Sequence, residues 1–74
     1  MEPDKLNVGM KYRVSGPPSR YTLTRPGSIV NFIRLTDNNE AYCKVVNIPN
    51  EKLYCVYKGE FVIIRCEDLE WYTL

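Results

Sequence analysis

The chain has 74 residues, with ten basic and nine acidic side chains, and its formal net charge at pH 7 is +1. This length leaves room for one hydrophobic core, and a composition of 45% apolar and 26% charged residues excludes wholesale disorder. The small net charge argues against a protein that holds nucleic acid through many phosphates. No apolar run approaches the roughly 18 residues of a membrane span. Because the polar start of the chain is also unlike a signal peptide, we expect a cytoplasmic protein.

The first residues predict a short arm followed by one domain. Residues 1–8 begin polar and include Pro3, which discourages regular structure, so we expect a flexible N-terminal arm. From Met10 to Val14, apolar and polar residues alternate with a period of two, which predicts a first strand with one face turned inward. A single β domain is therefore expected over residues 9–74.

A long connection follows this first strand. Residues 15–27 contain two successive prolines and end in a Pro-Gly pair that is typical of a type II turn. Because unstructured connections above about 12 residues are uncommon unless they are functional, we expect Arg20, Tyr21 and Arg25 to contact a partner. The alternative is that Tyr21 and Leu23 fold back over an open end of the domain.

The clearest element is a β-hairpin over residues 29–46, on which the rest of the chain is organised. Its arms, 29–35 and 41–46, are rich in β-branched and aromatic residues or alternate in polarity. Asn38 and Asn39 lie between the arms, and asparagine accepts the positive φ angles of a tight turn at low steric cost. The pattern therefore predicts the two central strands of an antiparallel sheet.

The remaining residues predict further antiparallel structure. Residues 52–57 and 61–65 read as two strands joined by a turn, and the second is so uniformly apolar that we expect it to be buried on both faces or to lie centrally in the sheet. Residues 66–69 suit one 3₁₀ turn, with its two acids facing water. A closing strand is expected over 70–74.

The cysteines and the absence of histidine bear on chemistry. Cys43, Cys55 and Cys66 are odd in number and widely spaced, which disfavours a disulfide framework and leaves a zinc site short of ligands. We expect them to be small apolar residues on strands in a reducing compartment. With no histidine to act as a base near neutral pH, we expect no catalysis, and no metal or cofactor.

Four stretches, residues 6–14, 26–30, 56–63 and 67–70, resemble the small SH3-like β-barrel modules of bacteria and phage, a group that includes KOW-type and Tudor-type barrels. A glycine leads into the first strand of this pattern, and an acid-acid-leucine-acid sequence closes it. The resemblance implies an all-β, partly open barrel of five to six antiparallel strands with one 3₁₀ turn near the C-terminus.

The resemblance also implies a binding role. Peptide-binding SH3 domains read polyproline through an alanine-leucine-tyrosine-aspartate-tyrosine type segment and a paired tryptophan, and this chain has neither. KOW-type and Tudor-type barrels bind RNA, ribosomal or polymerase surfaces, or methylated side chains, and fold alone does not choose among these targets.

The leading hypothesis is a small protein-binding module, an adaptor or inhibitor of the size and style that phage encode. Interface energy concentrates in Trp, Tyr and Arg side chains, and we expect the loop at 15–27 to act together with aromatic residues near the C-terminus. The expected contact residues are Arg20, Tyr21, Arg25, Trp71 and Tyr72. For Trp71 the alternative is packing that closes the barrel. Self-association through an unpaired strand edge is a further possibility.

The second hypothesis is nucleic-acid binding through the first half of the chain, where residues 1–36 hold six basic and two acidic side chains. Arginines and lysines would contact phosphates while a tyrosine stacks on a base. The candidate residues are Lys11, Arg13, Arg20, Arg25, Arg34 and Tyr42, with Tyr21 as a second stacking candidate.

Overall fold

The computed structural model describes residues 1–15, 27–48 and 58–72. In chain order the elements are the 3₁₀ turn η1 (Pro3–Lys5), strands β1 (Lys11–Val14), β2 (Ile29–Leu35), β3 (Ala41–Asn47) and β4 (Phe61–Ile64), the 3₁₀ turn η2 (Cys66–Asp68) and strand β5 (Leu69–Trp71). Within these ranges no helix has the length and apolar character needed to cross a membrane. The strand expected at 52–57 lies outside the described residues.

The five strands form one antiparallel sheet in the order β4-β3-β2-β1-β5. The all-β prediction is confirmed, and the predicted hairpin lies at the centre of the sheet. Over the part of the chain that the structure describes, the sheet is open, because β4 and β5 stand at opposite ends of the strand order. Strand β1 pairs with both β2 and β5, so the end of the chain returns beside its beginning.

The turn of the central hairpin is held by Thr36. Its carbonyl accepts a hydrogen bond from the N–H of Asn39 (3.0 Å), and its hydroxyl accepts one from the N–H of Glu40 (3.1 Å). Asn39 has a φ of +57°, the left-handed conformation that asparagine tolerates better than most residues. Of the two asparagines predicted to take positive φ angles in this turn, Asn39 does so and Asn38 does not.

An irregularity in β2 decides which side chains face outward. Phe32 lies opposite Cys43 and Arg34 opposite Tyr42, so Ile33 is an extra residue, a β-bulge. In a regular ladder Ile33 would face Tyr42 and Arg34 would point into the core. The bulge instead aligns Arg34 with the outward-facing Tyr42.

Inward-facing side chains from all five strands form one core. Val14 and Val45 are buried as the two-residue pattern predicts, and Cys43 and Cys66 are buried free thiols. Tyr12 is fully buried, and its hydroxyl accepts a hydrogen bond from the N–H of Asn7 (2.8 Å). The core side chains are Leu6, Tyr12, Val14, Val30, Phe32, Ala41, Cys43, Val45, Ile48, Ile64, Cys66 and Leu69.

Two burial predictions are wrong. The apolar run in β4 is not buried on both faces, because Ile64 points into the core while Phe61 and Ile63 are 55% and 47% exposed. A uniformly apolar strand carries no polarity signal to show which alternate residues face water. Met10 is 49% exposed, since β1 begins one residue later.

The segments flanking the sheet also differ from expectation in detail. The N-terminal segment, expected as a flexible arm, contains η1 and places Leu6 in the core; its mobility stays a prediction. The predicted 3₁₀ turn is present as η2. Of its two acids only Glu67 faces water, because Asp68 is nearly buried and accepts a hydrogen bond from Nε of Arg65 (3.0 Å).

Candidate functional site

Trp71 lies at the edge of the sheet against a rigid support. It is the register partner of Tyr12 across the β1–β5 pair, and the two ring centroids are 5.5 Å apart with planes tilted by 45°. Tyr12 is fully buried, whereas Trp71 is 50% exposed. The indole therefore packs on a core residue and presents about half of its surface to solvent.

Tyr72 lies on the other side of the same edge. The guanidinium of Arg13 is 5.7 Å from the centroid of the Tyr72 ring, and it forms a salt bridge of 3.4 Å with Glu70. Arg13 and Tyr12 are adjacent in β1 and point to opposite faces, so Tyr72 and Trp71 do not form one continuous aromatic patch. Trp71 is the more exposed of the two aromatic residues.

The other residues predicted for partner contact, Arg20, Tyr21 and Arg25, lie outside the described residues. The ends of their loop are fixed, however. Ser15 donates its N–H to the carbonyl of Asp68 (2.7 Å), and Gly27 donates its N–H to the carbonyl of Val14 (2.8 Å). Ser15, the last described residue before this segment, therefore lies beside η2, immediately before β5.

A second surface lies on the outward face of β2, β3 and β4, and we call it the outer row: Arg34, Tyr42, Lys44 and Phe61. The rings of Tyr42 and Phe61 are stacked, with centroids 5.6 Å apart and planes within 5° of parallel. The guanidinium of Arg34 lies 5.1 Å from the Tyr42 centroid, and Nζ of Lys44 lies 6.0 Å from the Phe61 centroid. Each aromatic ring thus has a cation within the range of a cation–π interaction.

The outer row follows from strand register. Lys44 lies directly opposite Phe61, and Tyr42 directly opposite Ile63, so Tyr42 and Phe61 are diagonal neighbours on the β3–β4 pair. Arg34 joins them only because the bulge at Ile33 turns it outward. Sequence reasoning missed Phe61 because the apolar strand β4 was expected to be buried. It also missed Lys44, for which the alternation of Tyr42 and Lys44 in β3 was the available signal.

The residues predicted for nucleic-acid contact are only partly brought together. Arg34 and Tyr42 touch in the outer row, while Lys11 and Arg13 lie on β1. Arg13 is paired with the carboxylate of Glu70, which competes with any phosphate. Arg20 and Arg25, like the rest of the loop, lie outside the ranges that the structure describes.

The buried thiols are poorly suited to nucleophilic chemistry. Burial raises the pKa of Cys43 to about 12, with a smaller contribution from the nearby Cys66. Burial also raises the pKa of Cys66, whose Sγ lies 3.2 Å from the carbonyl oxygen of Asn39. Since the thiolate is the reactive form, burial makes both side chains less reactive near neutral pH. Within residues 1–15, 27–48 and 58–72, no group of three or more acidic or cysteine side chains is arranged to hold a metal ion.

Comparisons with protein-family models, with curated proteins and with solved structures give no match for this chain.

Proposed function

We propose that this protein is a non-enzymatic binding module that engages a protein partner, with Trp71 as the central contact residue. The observation that carries the proposal is the half-exposed indole of Trp71 packed on the fully buried ring of Tyr12. Tryptophan is among the residues that contribute most to interface energy when a partner covers them. A ring already held by the core loses little conformational freedom on binding, which lowers the cost of association.

The loop at 15–27 belongs to the same proposed contact surface. The described residues on either side of it are held by hydrogen bonds, from Ser15 to the carbonyl of Asp68 in η2, and from Gly27 to the carbonyl of Val14 in β1. Ser15, which precedes the segment that contains Arg20, Tyr21 and Arg25, therefore lies close to the strand that carries Trp71. Together Arg20, Tyr21 and Arg25 would supply the arginine and tyrosine side chains that often surround a tryptophan in protein interfaces.

The SH3-like arrangement and a cytoplasmic location are parts of this proposal. A strand that pairs with both a hairpin strand and the last strand, with a 3₁₀ turn before that last strand, supports the SH3-like layout. Buried free thiols at Cys43 and Cys66 support a reducing compartment.

The test is affinity capture by the full chain from a lysate of its source cells, read by mass spectrometry. We expect one protein in near-stoichiometric amount, and Trp71→Ala to weaken its binding about 30-fold, equivalent to about 2 kcal/mol. Val8→Ala is the matched control, because Val8 is 74% exposed and lies outside both surfaces. Equal capture by the Trp71→Ala and Val8→Ala chains, or no stoichiometric protein, would contradict the proposal.

Nucleic-acid binding is the second candidate, favoured by one observation: Arg34 and Tyr42 touch on an outward sheet face that also carries Lys44. This arrangement offers cations and an aromatic residue on one surface, as single-stranded nucleic acid requires. Gel retardation of single-stranded RNA and DNA at low salt tests it. Retardation that Arg34→Gln abolishes would support this candidate, and no retardation would remove it.

A further inference from the structure

We propose that the outer row is a second contact surface, one that binds an acidic segment of a protein carrying a large aliphatic or aromatic side chain. This inference rests on the proposed function, because it assumes a protein partner, and it names a site separate from Trp71. It also states the chemistry of what binds there: carboxylates beside an apolar side chain.

The apolar side chains of this surface are exposed to solvent. Phe61 and Ile63 are the large exposed side chains of β4, and both point away from the core. Ile63 lies directly opposite Tyr42, whose ring stacks on Phe61, so the three side chains are continuous. Adjacent exposed apolar side chains of this kind mark a contact site more often than isolated ones do.

The charged part of the surface is positive. Arg34 and Lys44 are exposed, and in the described ranges neither forms a salt bridge. The salt bridges found there use Arg13 and Arg65 instead. Cations held against aromatic rings without a carboxylate partner attract an anionic ligand, and an arginine fork matches a carboxylate in two hydrogen bonds.

The rings favour a protein over a nucleic acid. In the strand order, Arg34 on β2 and Phe61 on β4 flank Tyr42 on β3 from opposite sides. Contacts from both neighbouring strands leave less of the tyrosine ring open for a base to stack on. The exposed Phe61 and Ile63 offer apolar surface that a phosphate backbone cannot use, and the net charge of the chain is only +1.

The occupant that fits places a carboxylate on Arg34 or Lys44 and an aliphatic or aromatic side chain on Phe61 and Ile63. An Asp or Glu next to Leu, Ile or Phe in an extended segment supplies both groups within a few residues. Charge complementarity would fix its position, and the apolar contact would supply most of the affinity.

The experiment selects binders from a random peptide display library on the full chain, and then maps the best peptide on isotope-labelled protein by NMR. We expect peptides enriched in Asp or Glu beside an aliphatic or aromatic residue, with amide shifts concentrated at the outer row. Arg34→Gln combined with Lys44→Gln should weaken such a peptide at least 10-fold, as should Phe61→Ala. The matched control Lys5→Gln removes an exposed cation elsewhere and should leave affinity unchanged.

Enriched peptides without acidic residues, or shifts that avoid β2, β3 and β4, would overturn the inference. So would displacement of every peptide by a single-stranded oligonucleotide that itself shifts the outer row. The NMR shift map is recorded on the unaltered chain, so it tests the inference even if a variant is unstable. Trp71→Ala should not change affinity for the peptide, so failure at the outer row and failure of the proposed Trp71 contact give different results.

Discussion

The indole of Trp71 lies across the β1–β5 pair from the ring of Tyr12, and the two centroids are 5.5 Å apart. The ring of Tyr12 is fully buried in the core, whereas Trp71 is 50% exposed. The contact therefore joins a fully buried core residue to the residue that we propose contacts a partner. It also lets stability and binding be separated by mutation.

Replacing each ring by alanine should show this separation. Tyr12→Ala removes a fully buried aromatic ring and should lower the free energy of unfolding by about 3 to 5 kcal/mol. Trp71→Ala should cost only about 1 to 2 kcal/mol, since half of that ring is already exposed. Chemical denaturation monitored by circular dichroism measures both values. Equal losses would show that Trp71 is a core residue.

The hydroxyl of Tyr12 should contribute separately from its ring. Tyr12→Phe removes the acceptor for the N–H of Asn7 and should cost about 1 kcal/mol. Tyr42→Phe is the matched control, because it removes the same atom from an outward-facing ring. If urea denaturation gives both variants the same stability, the hydrogen bond to Asn7 does not stabilise the N-terminal segment.

The stacked pair in the outer row should be energetically coupled. A double-mutant cycle with Tyr42→Ala and Phe61→Ala should give a coupling energy of about 0.5 to 1.5 kcal/mol, because the rings are near-parallel neighbours. A second cycle that pairs Tyr42→Ala with Trp71→Ala should give no coupling energy within error. A coupling as small in the first cycle as in the second would mean that the stack does not persist in solution.

The left-handed conformation of Asn39 predicts opposite effects of two small substitutions. Asn39→Ala forces a Cβ-bearing residue without a polar side chain to keep a φ of +57°, which should cost about 1 kcal/mol. Asn39→Gly should be neutral or slightly stabilising, since glycine adopts this conformation freely. Thermal unfolding of the two variants makes the comparison, and a more stable alanine variant would contradict the turn geometry.

Cys43 should make the domain sensitive to alkaline pH. Burial raises its pKa from 9.0 to about 12, so between these values the unfolded state loses the proton while the folded state keeps it. The free energy of unfolding should therefore be unaffected by this thiol below pH 9 and fall above it, by at most about 1.4 kcal/mol per pH unit. Urea titrations should show a shallower alkaline decline for Cys43→Ala. Identical slopes would contradict the burial of the thiol.

The sequence was most informative where polarity alternates. Tyr12 and Val14 in β1, and Cys43 and Val45 in β3, are inward as the period of two predicts. The prediction failed at Ile63, because every residue of β4 is apolar and the face that meets water depends on the partner strand. Pairing with β3, which is a tertiary fact, sets that choice.

The candidate site was less accessible to sequence reasoning than the fold. Trp71 could be named from residue type alone, but its support by Tyr12 depends on strands that are distant in the chain. Arg34 and Tyr42 were both named as nucleic-acid contacts, but their contact depends on the bulge at Ile33, and no glycine or proline at that position predicts a bulge. Phe61 was not named as a contact residue, because β4 was predicted to be buried.

The most direct test of the central claim is capture by the full chain at low and at high salt, with protein and nucleic acid both quantified. We predict that one protein stays bound at both salt concentrations, because an interface centred on an aromatic ring is weakly screened. Its binding should survive nuclease treatment and be weakened about 30-fold by Trp71→Ala. Recovery of nucleic acid alone, released as salt rises, would contradict the account.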